Sequence, residues 1–187
     1  MITFVIGGSG SGKSEYAESL VLKCNSKNKI YLATMNATDV ESKKRIERHK
    51  KMREGKGFTT VECSIGLDTL SIPKNATVLV ECLSNLVANE MFMEFGAQNY
   101  TKEAVVKGIN HLISNAENVI FVSNNIFEDG MEYDEVTKEY INCLSEINKY
   151  ITQIADRFVE VVHGIPTEYI KNGMGSFNVK KKVSHSR

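Results

Sequence analysis

The stretch Gly7-Gly8-Ser9-Gly10-Ser11-Gly12-Lys13-Ser14 decides how this chain is read. It fits the pattern G-x-x-x-x-G-K-[ST], in which glycines let consecutive backbone N–H groups turn inward around phosphate oxygens. Its flanks agree. Residues 2–6 are a short, apolar, β-branched run that predicts a buried strand. Residues 14–25 place Tyr16, Ala17, Leu20, Val21 and Cys24 at three- and four-residue spacing, which predicts a helix. A helix starting there adds partial positive charge at its amino end. Gly7, Gly8, Ser9, Gly10, Ser11, Gly12, Lys13 and Ser14 are therefore expected to bind nucleotide. Lys13 is expected on the β- and γ-phosphates, and the Ser14 hydroxyl on Mg²⁺. Alone, the motif does not choose among kinase, ATPase, GTPase and nucleotidyl transferase.

Outward from the loop, strand and helix patterns alternate. Strands are expected at 29–33, 59–63, 77–82, 118–122 and 157–162, and helices at 39–53, 83–94, 101–115 and 133–155. Asp39 is the expected N-cap of the second helix. Alternation of this kind predicts an α/β fold with a mainly parallel sheet, and the strands apolar throughout predict helices on both faces. With the phosphate loop after the first strand, the expected class is a P-loop NTPase (RecA-like) three-layer fold. One domain is expected over 1–171. Residues 172–187, with Gly173, Gly175 and Lys180-Lys181-Lys182, are expected to form a mobile basic tail.

Composition narrows the partners. The chain has 187 residues, with 23 Lys+Arg against 23 Asp+Glu, so bulk charge does not hold it to nucleic acid. The cysteines at 24, 63, 82 and 143 form no CxxC pair and are expected to be reduced thiols. No apolar run approaches a membrane span and the amino end has no signal-peptide pattern, so a cytoplasmic location is expected.

Two further features carry chemistry. Glu81 ends the apolar run Val78-Leu79-Val80, where an acidic group would organise the metal together with Ser14. Residues 43–56 hold eight Lys/Arg and two Glu, and within them Arg45 and His49 are one helical turn apart. A neutral imidazole is a competent nucleophile toward phosphorus, and neighbouring cations would neutralise phosphate charge. An exposed helix histidine is the plainer reading of His49 from composition alone. His111, His163 and His185 are weaker candidates.

The chain resembles the bifunctional adenosylcobinamide kinase/adenosylcobinamide-phosphate guanylyltransferase family of cobalamin biosynthesis. The resemblance spans about residues 1–171 and rests on pieces in order. They include the loop with Ala17-Glu18, Tyr31-Leu32-Ala33-Thr34, Arg45-Ile46 followed by His49, Thr60 with Glu62, and Leu79-Val80-Glu81-Cys82-Leu83 with Asn89. Val122-Ser123-Asn124, Asn148, Ala155-Asp156 and Gly164-Ile165-Pro166 follow. The resemblance implies phosphorylation of the aminopropanol hydroxyl of adenosylcobinamide, then GMP transfer from GTP through a guanylylated histidine, matched here by His49. It implies that Glu62 and Glu81 contact guanine or metal, that GTP or ATP and Mg²⁺ serve the reaction, and that the protein is a homotrimer with a shared site.

The chain departs from the family pattern twice. Gly10 stands where the family loop carries arginine, and Asn125 to Tyr133 replaces a glycine-rich stretch with an acidic one. These departures keep a second reading open: a P-loop small-molecule kinase or NTPase, or a nucleotide-binding protein in which one or both transfers are lost.

Overall fold

The computed structural model describes residues 1–37, 40–125, 132–171 and 176–179. In chain order the elements are β1 (Ile2–Gly7), α1 (Lys13–Lys23), β2 (Asn28–Ala33), α2 (Val40–Arg53), β3 (Phe58–Glu62), β4 (Ala76–Glu81) and α3 (Leu83–Phe92). They continue with α4 (Thr101–Asn115), β5 (Asn118–Asn124), α5 (Glu135–Ile154), β6 (Arg157–Val162), β7 (Ile165–Lys171) and β8 (Phe177–Val179). Short 3-10 turns at Leu67–Thr69 and Gln98–Tyr100 complete the described elements.

The strands form one eight-stranded sheet in the order β3-β2-β4-β5-β1-β6-β7-β8. β3 through β6 run parallel, and β7 and β8 extend the sheet antiparallel. Alternate side chains of each apolar strand enter opposite cores, as the period of two requires. On one face Phe4, Leu32, Val78, Val80 and Phe121 pack with Leu86, Ile109, Leu144 and Ile147, which come from α3, α4 and α5. On the other, Val5, Leu79, Ile120, Val122 and Val159 pack with Ala17, Leu20 and Val21 of α1. The result is three layers, as the alternation predicts. Among the described residues no helix is long and apolar enough to cross a membrane.

The parallel register brings strand ends to one edge. Gly7 lies opposite Asn124, and Ala33 lies opposite both Glu81 and Glu62. The edge is tied by side chains: Thr34 Oγ1 donates to Cys82 O at 2.8 Å, and Asn89 Nδ2 to Thr34 O at 2.7 Å and Ser64 O at 3.0 Å. Ligands of open α/β sheets bind along such carboxyl ends.

Three differences from the sequence reading stand out. β7 is a strand that the alternation did not predict. It forms a hairpin with β6 through His163 and Gly164, both at positive φ (48° and 77°), the geometry of a two-residue primed turn. Residues 177–179, read as part of the tail, are strand β8, whose Phe177 ring meets Phe158 at 6.2 Å. Residues 172–175 and 180–187 of that tail, the proposed N-cap Asp39, and residues 126–131 of the departing segment lie outside the described residues. Third, Arg53, read only as one of the charges of α2, is fully buried, while Ser42, Ile46, His49 and Met52 are half-buried.

Candidate active site

The backbone shapes the site first. Gly10 and Gly12 adopt φ of 71° and 87°, the left-handed region that glycine reaches without strain. A Cβ on Gly7 would lie 2.5 Å from both Ser11 Oγ and the Val161 carbonyl oxygen, so no larger residue fits between the loop and β6. The β6–β7 turn backs the loop from behind, with Gly164 N donating to Ser11 O at 2.8 Å. α1 then starts at Lys13 with no side-chain cap on its first turn. Its leading N–H groups are left for an anion.

A cavity of about 750 Å³ opens where the loop meets the strand ends and the inner face of α2. Of the residues singled out from sequence, Gly10, Gly12, Lys13, Ser14, His49, Glu62 and Glu81 line it. Gly7, Gly8, Ser9 and Ser11 shape the loop rather than the cavity wall. Lys13 is buried and its Nζ donates to Gly8 O at 3.0 Å, closing the loop on itself. Burial lowers its pKa from 10.5, the carboxylate of Glu81 opposes that, and the cation of Arg45 adds to it.

Ser14 and Glu81 meet, with Ser14 Oγ donating to Glu81 Oε1 at 2.7 Å. Glu81 Oε2 is shut from solvent with no partner among the described residues. Burial pushes the Glu81 carboxyl from 4.5 up to about 7, with the Ser14 hydrogen bond and the Lys13 charge pulling the other way. An oxygen pair with one lone carboxylate oxygen unused fits a hard divalent cation that keeps most of its water. Glu62, at the end of β3, is exposed at the cavity rim.

His49 faces inward from α2. Its Nδ1 is buried and meets no partner among the described residues. Burial, then the charges of Arg48, Arg53, Arg45 and Lys13, lower its pKa from 6.5 to about 4, so the imidazole is neutral near pH 7. The plainer reading, a solvated helix histidine, does not describe this position. The structure brings the phosphate loop, the Ser14–Glu81 pair and a neutral imidazole to one cavity.

A family model described as cobinamide kinase / cobinamide phosphate guanyltransferase matches residues 3–169. The chain belongs to this family. The bifunctional adenosylcobalamin biosynthesis protein CobU of Salmonella typhimurium strain LT2 is 28% identical over 180 residues, covering 88% of this chain and 97% of that protein. Its namesake in Escherichia coli strain K12 is 29% identical over 180 residues, with the same coverage. Family membership makes the chain a transferase of cobalamin biosynthesis. Among solved structures, a prototypical ATPase of the type III secretion system of pathogenic bacteria matches with a TM-score of 0.53 at 9% identity. That match covers 85% of this chain and 50% of the ATPase, so the chain spans about half its length, and the likeness concerns the fold alone.

The family's loop arginine is replaced by Gly10, whose Cα faces open space with nothing within 4 Å of a Cβ placed there. The missing cation therefore leaves room at the cavity mouth. Tyr31 and Asn85 also line the cavity, although sequence reading assigned them no role. The available signal was position: Tyr31 lies near the carboxyl end of a central strand, and Asn85 in the first turn of the helix after Glu81.

Proposed function

We propose that this chain phosphorylates adenosylcobinamide and then transfers GMP from GTP to adenosylcobinamide-phosphate through a guanylylated His49. The observation that carries the reading is a neutral, inward-facing imidazole in the same cavity as the phosphate-loop lysine.

In the first step a nucleoside triphosphate lies with its β- and γ-phosphates against the loop amides and Lys13. The substrate hydroxyl attacks the γ-phosphorus and releases its proton to water, the O–P bond forms, the β–γ bridging bond breaks, and the diphosphate takes the electron pair. The loop and Lys13 position the phosphates and neutralise charge. Ser14 and Glu81 are the residues that would hold Mg²⁺, which when bound supplies charge neutralisation on the phosphates. In the second step a ring nitrogen of His49 attacks the α-phosphorus of GTP. The N–P bond forms, the α–β bridge breaks, and pyrophosphate leaves. The phosphate of adenosylcobinamide-phosphate then displaces the imidazole, whose lone pair returns to the ring. Glu62, from the cavity rim, contacts the nucleotide in this reading.

GTP serves the transfer step, and GTP or ATP the phosphorylation. The family resemblance supports a homotrimer in the cytoplasm with a site shared between neighbours. Incubation with adenosylcobinamide, GTP and Mg²⁺, with products separated by mass, tests the reading. It expects the phosphate and then the GMP-linked corrinoid. Neither product from wild-type protein contradicts it. Gly10 favours one alternative, a kinase or NTPase that gives His49 no covalent role. That alternative requires His49→Ala to keep all activity while Lys13→Ala loses it.

A further inference from the structure

Arg53, the last residue of α2, holds a charge that the two steps above leave unused. It is 6% exposed and lines the same cavity as Lys13 and His49. It lies one helical turn beyond His49, so the two share the inward face of α2. Three contacts fix it. Its guanidinium carbon lies 3.5 Å from the centroid of the Tyr31 ring, and Phe58 meets that ring edge-on at 6.3 Å. Its Nη2 donates to Thr60 Oγ1 at a long 3.4 Å. Its carbonyl accepts from Lys56 N at 3.1 Å, while Lys56 Nζ pairs with the buried Glu18 on α1 at 2.9 Å. The segment after α2 is thereby pinned to the helix that follows the phosphate loop.

Held this way, Arg53 still has two donors to spare. Nε and Nη1 are closed off from solvent and meet no acceptor among the described residues. Burying a guanidinium with unpaired donors is costly, and such a cost persists where a ligand completes the site. The ligand must be an anion small enough to sit beside His49 and Lys13. Nε and Nη1 point to different edges of the guanidinium, so a phosphate takes one of them together with the second hydrogen of Nη2 as a fork, and the flat ring of Tyr31 sets the guanidinium plane.

We propose that Arg53 is a catalytic residue of the nucleotidyl step, gripping nonbridging oxygens of the α-phosphate that His49 attacks, with Tyr31 as its positioning residue. This rests on the guanylyl-transfer reading above. As the N–P bond forms and the α–β bridge breaks, charge gathers on those oxygens and on the departing pyrophosphate. Arg53 transfers no proton and meets the same oxygens when the acceptor phosphate displaces the imidazole.

The test follows guanylylation of the full-length protein by GTP and by the two diastereomers of its α-phosphorothioate, in single turnover. Arg53→Met is expected to lower the saturated rate about 10²–10³-fold, the usual effect of removing one donor to a developing oxyanion, with a much smaller change in half-saturating GTP. Arg53→Lys keeps the charge without the fork, and is expected to remain slow and to alter the preference between diastereomers. Tyr31→Leu is expected to slow the step, and Tyr31→Phe to restore it. Arg53→Lys at wild-type rate with unchanged diastereomer preference overturns the assignment, as does an Arg53→Met effect confined to half-saturation. Should Arg53→Met fail to fold, the lysine variant alone decides between these outcomes. Wild-type protein that takes no label overturns the guanylyl-transfer reading along with this one, whereas labelled wild type with equally labelled Arg53 variants overturns this one alone.

Discussion

Replacing Glu81 by glutamine should stabilise the metal-free, nucleotide-free protein while removing its activity. The carboxyl is raised from 4.5 to about 7, because burial disfavours its charged form more than Ser14 and Lys13 favour it. The folded state therefore holds a proton that the unfolded chain releases between those two values. Stability falls as pH rises through that window and then levels. Above both values the ionised carboxylate costs the fold about 3 kcal/mol. Glutamine removes the charge and keeps the shape, and Ser14 retains a partner at 2.7 Å. Its amide, however, places N–H groups where Glu81 Oε2 has no partner, which returns about 1–2 kcal/mol. The net gain of about 1–2 kcal/mol corresponds to a rise in Tm of about 3–6 °C for a domain of this size. Thermal unfolding of both proteins at about pH 8.5 and about pH 5 reads it, since the gain should vanish at the lower pH where little charge remains to remove. Added GTP with Mg²⁺ should reverse the order, because the wild type alone gains binding energy through Glu81. A variant less stable than wild type by the same amount at both pH values would refute the buried, unpartnered charge.

Further outcomes follow from the loop and from α2. Gly7→Ala puts a methyl against a backbone carbonyl that cannot turn aside, and should cost about 1–3 kcal/mol in thermal unfolding and weaken GTP binding. Gly8→Ala, with nothing within 4 Å of the new Cβ, should leave stability near wild type, and equal losses in the two would contradict the packing. In a proton NMR titration of the nucleotide-free protein, His49 should show a midpoint near 4 rather than 6.5. Because the folded imidazole resists the proton that the unfolded one accepts, His49 contributes stability above 6.5 that is lost as pH falls toward 4. A midpoint at or above 6.5 would show that the ring is solvated.

Much of this was legible in the chain because its signals are local. Gly10 and Gly12 specify a loop through their own φ requirements, and the run from Val78 to Val80 announces a central strand whose end carries Glu81. The register of β2 with β3 and β4, which sets Glu62 and Glu81 on either side of Ala33, depends on pairing that no local pattern records. The antiparallel edge went unread for a different reason. The strand β7 follows a two-residue turn built from His163 and Gly164, and its residues Pro166, Glu168 and Lys171 do not alternate as a half-buried strand would. Glu168 instead accepts from Tyr16 at 2.5 Å and pairs with Arg157, so tertiary contacts fix a strand that hydrophobicity does not mark. The burial of Arg53 was equally hidden. In a helix as charged as α2, nothing in the sequence separates the cation that stacks on Tyr31 from those that stay in water.

The central claim is a covalent bond between His49 and the α-phosphorus of GTP. Mass analysis of peptides after brief incubation with GTP and Mg²⁺ tests it most directly. The account predicts one peptide heavier by a guanylyl group, acid-labile and base-stable, with fragmentation placing the group on His49 and no adduct in His49→Ala. An unmodified His49 in protein that still makes the GMP-linked corrinoid would contradict it.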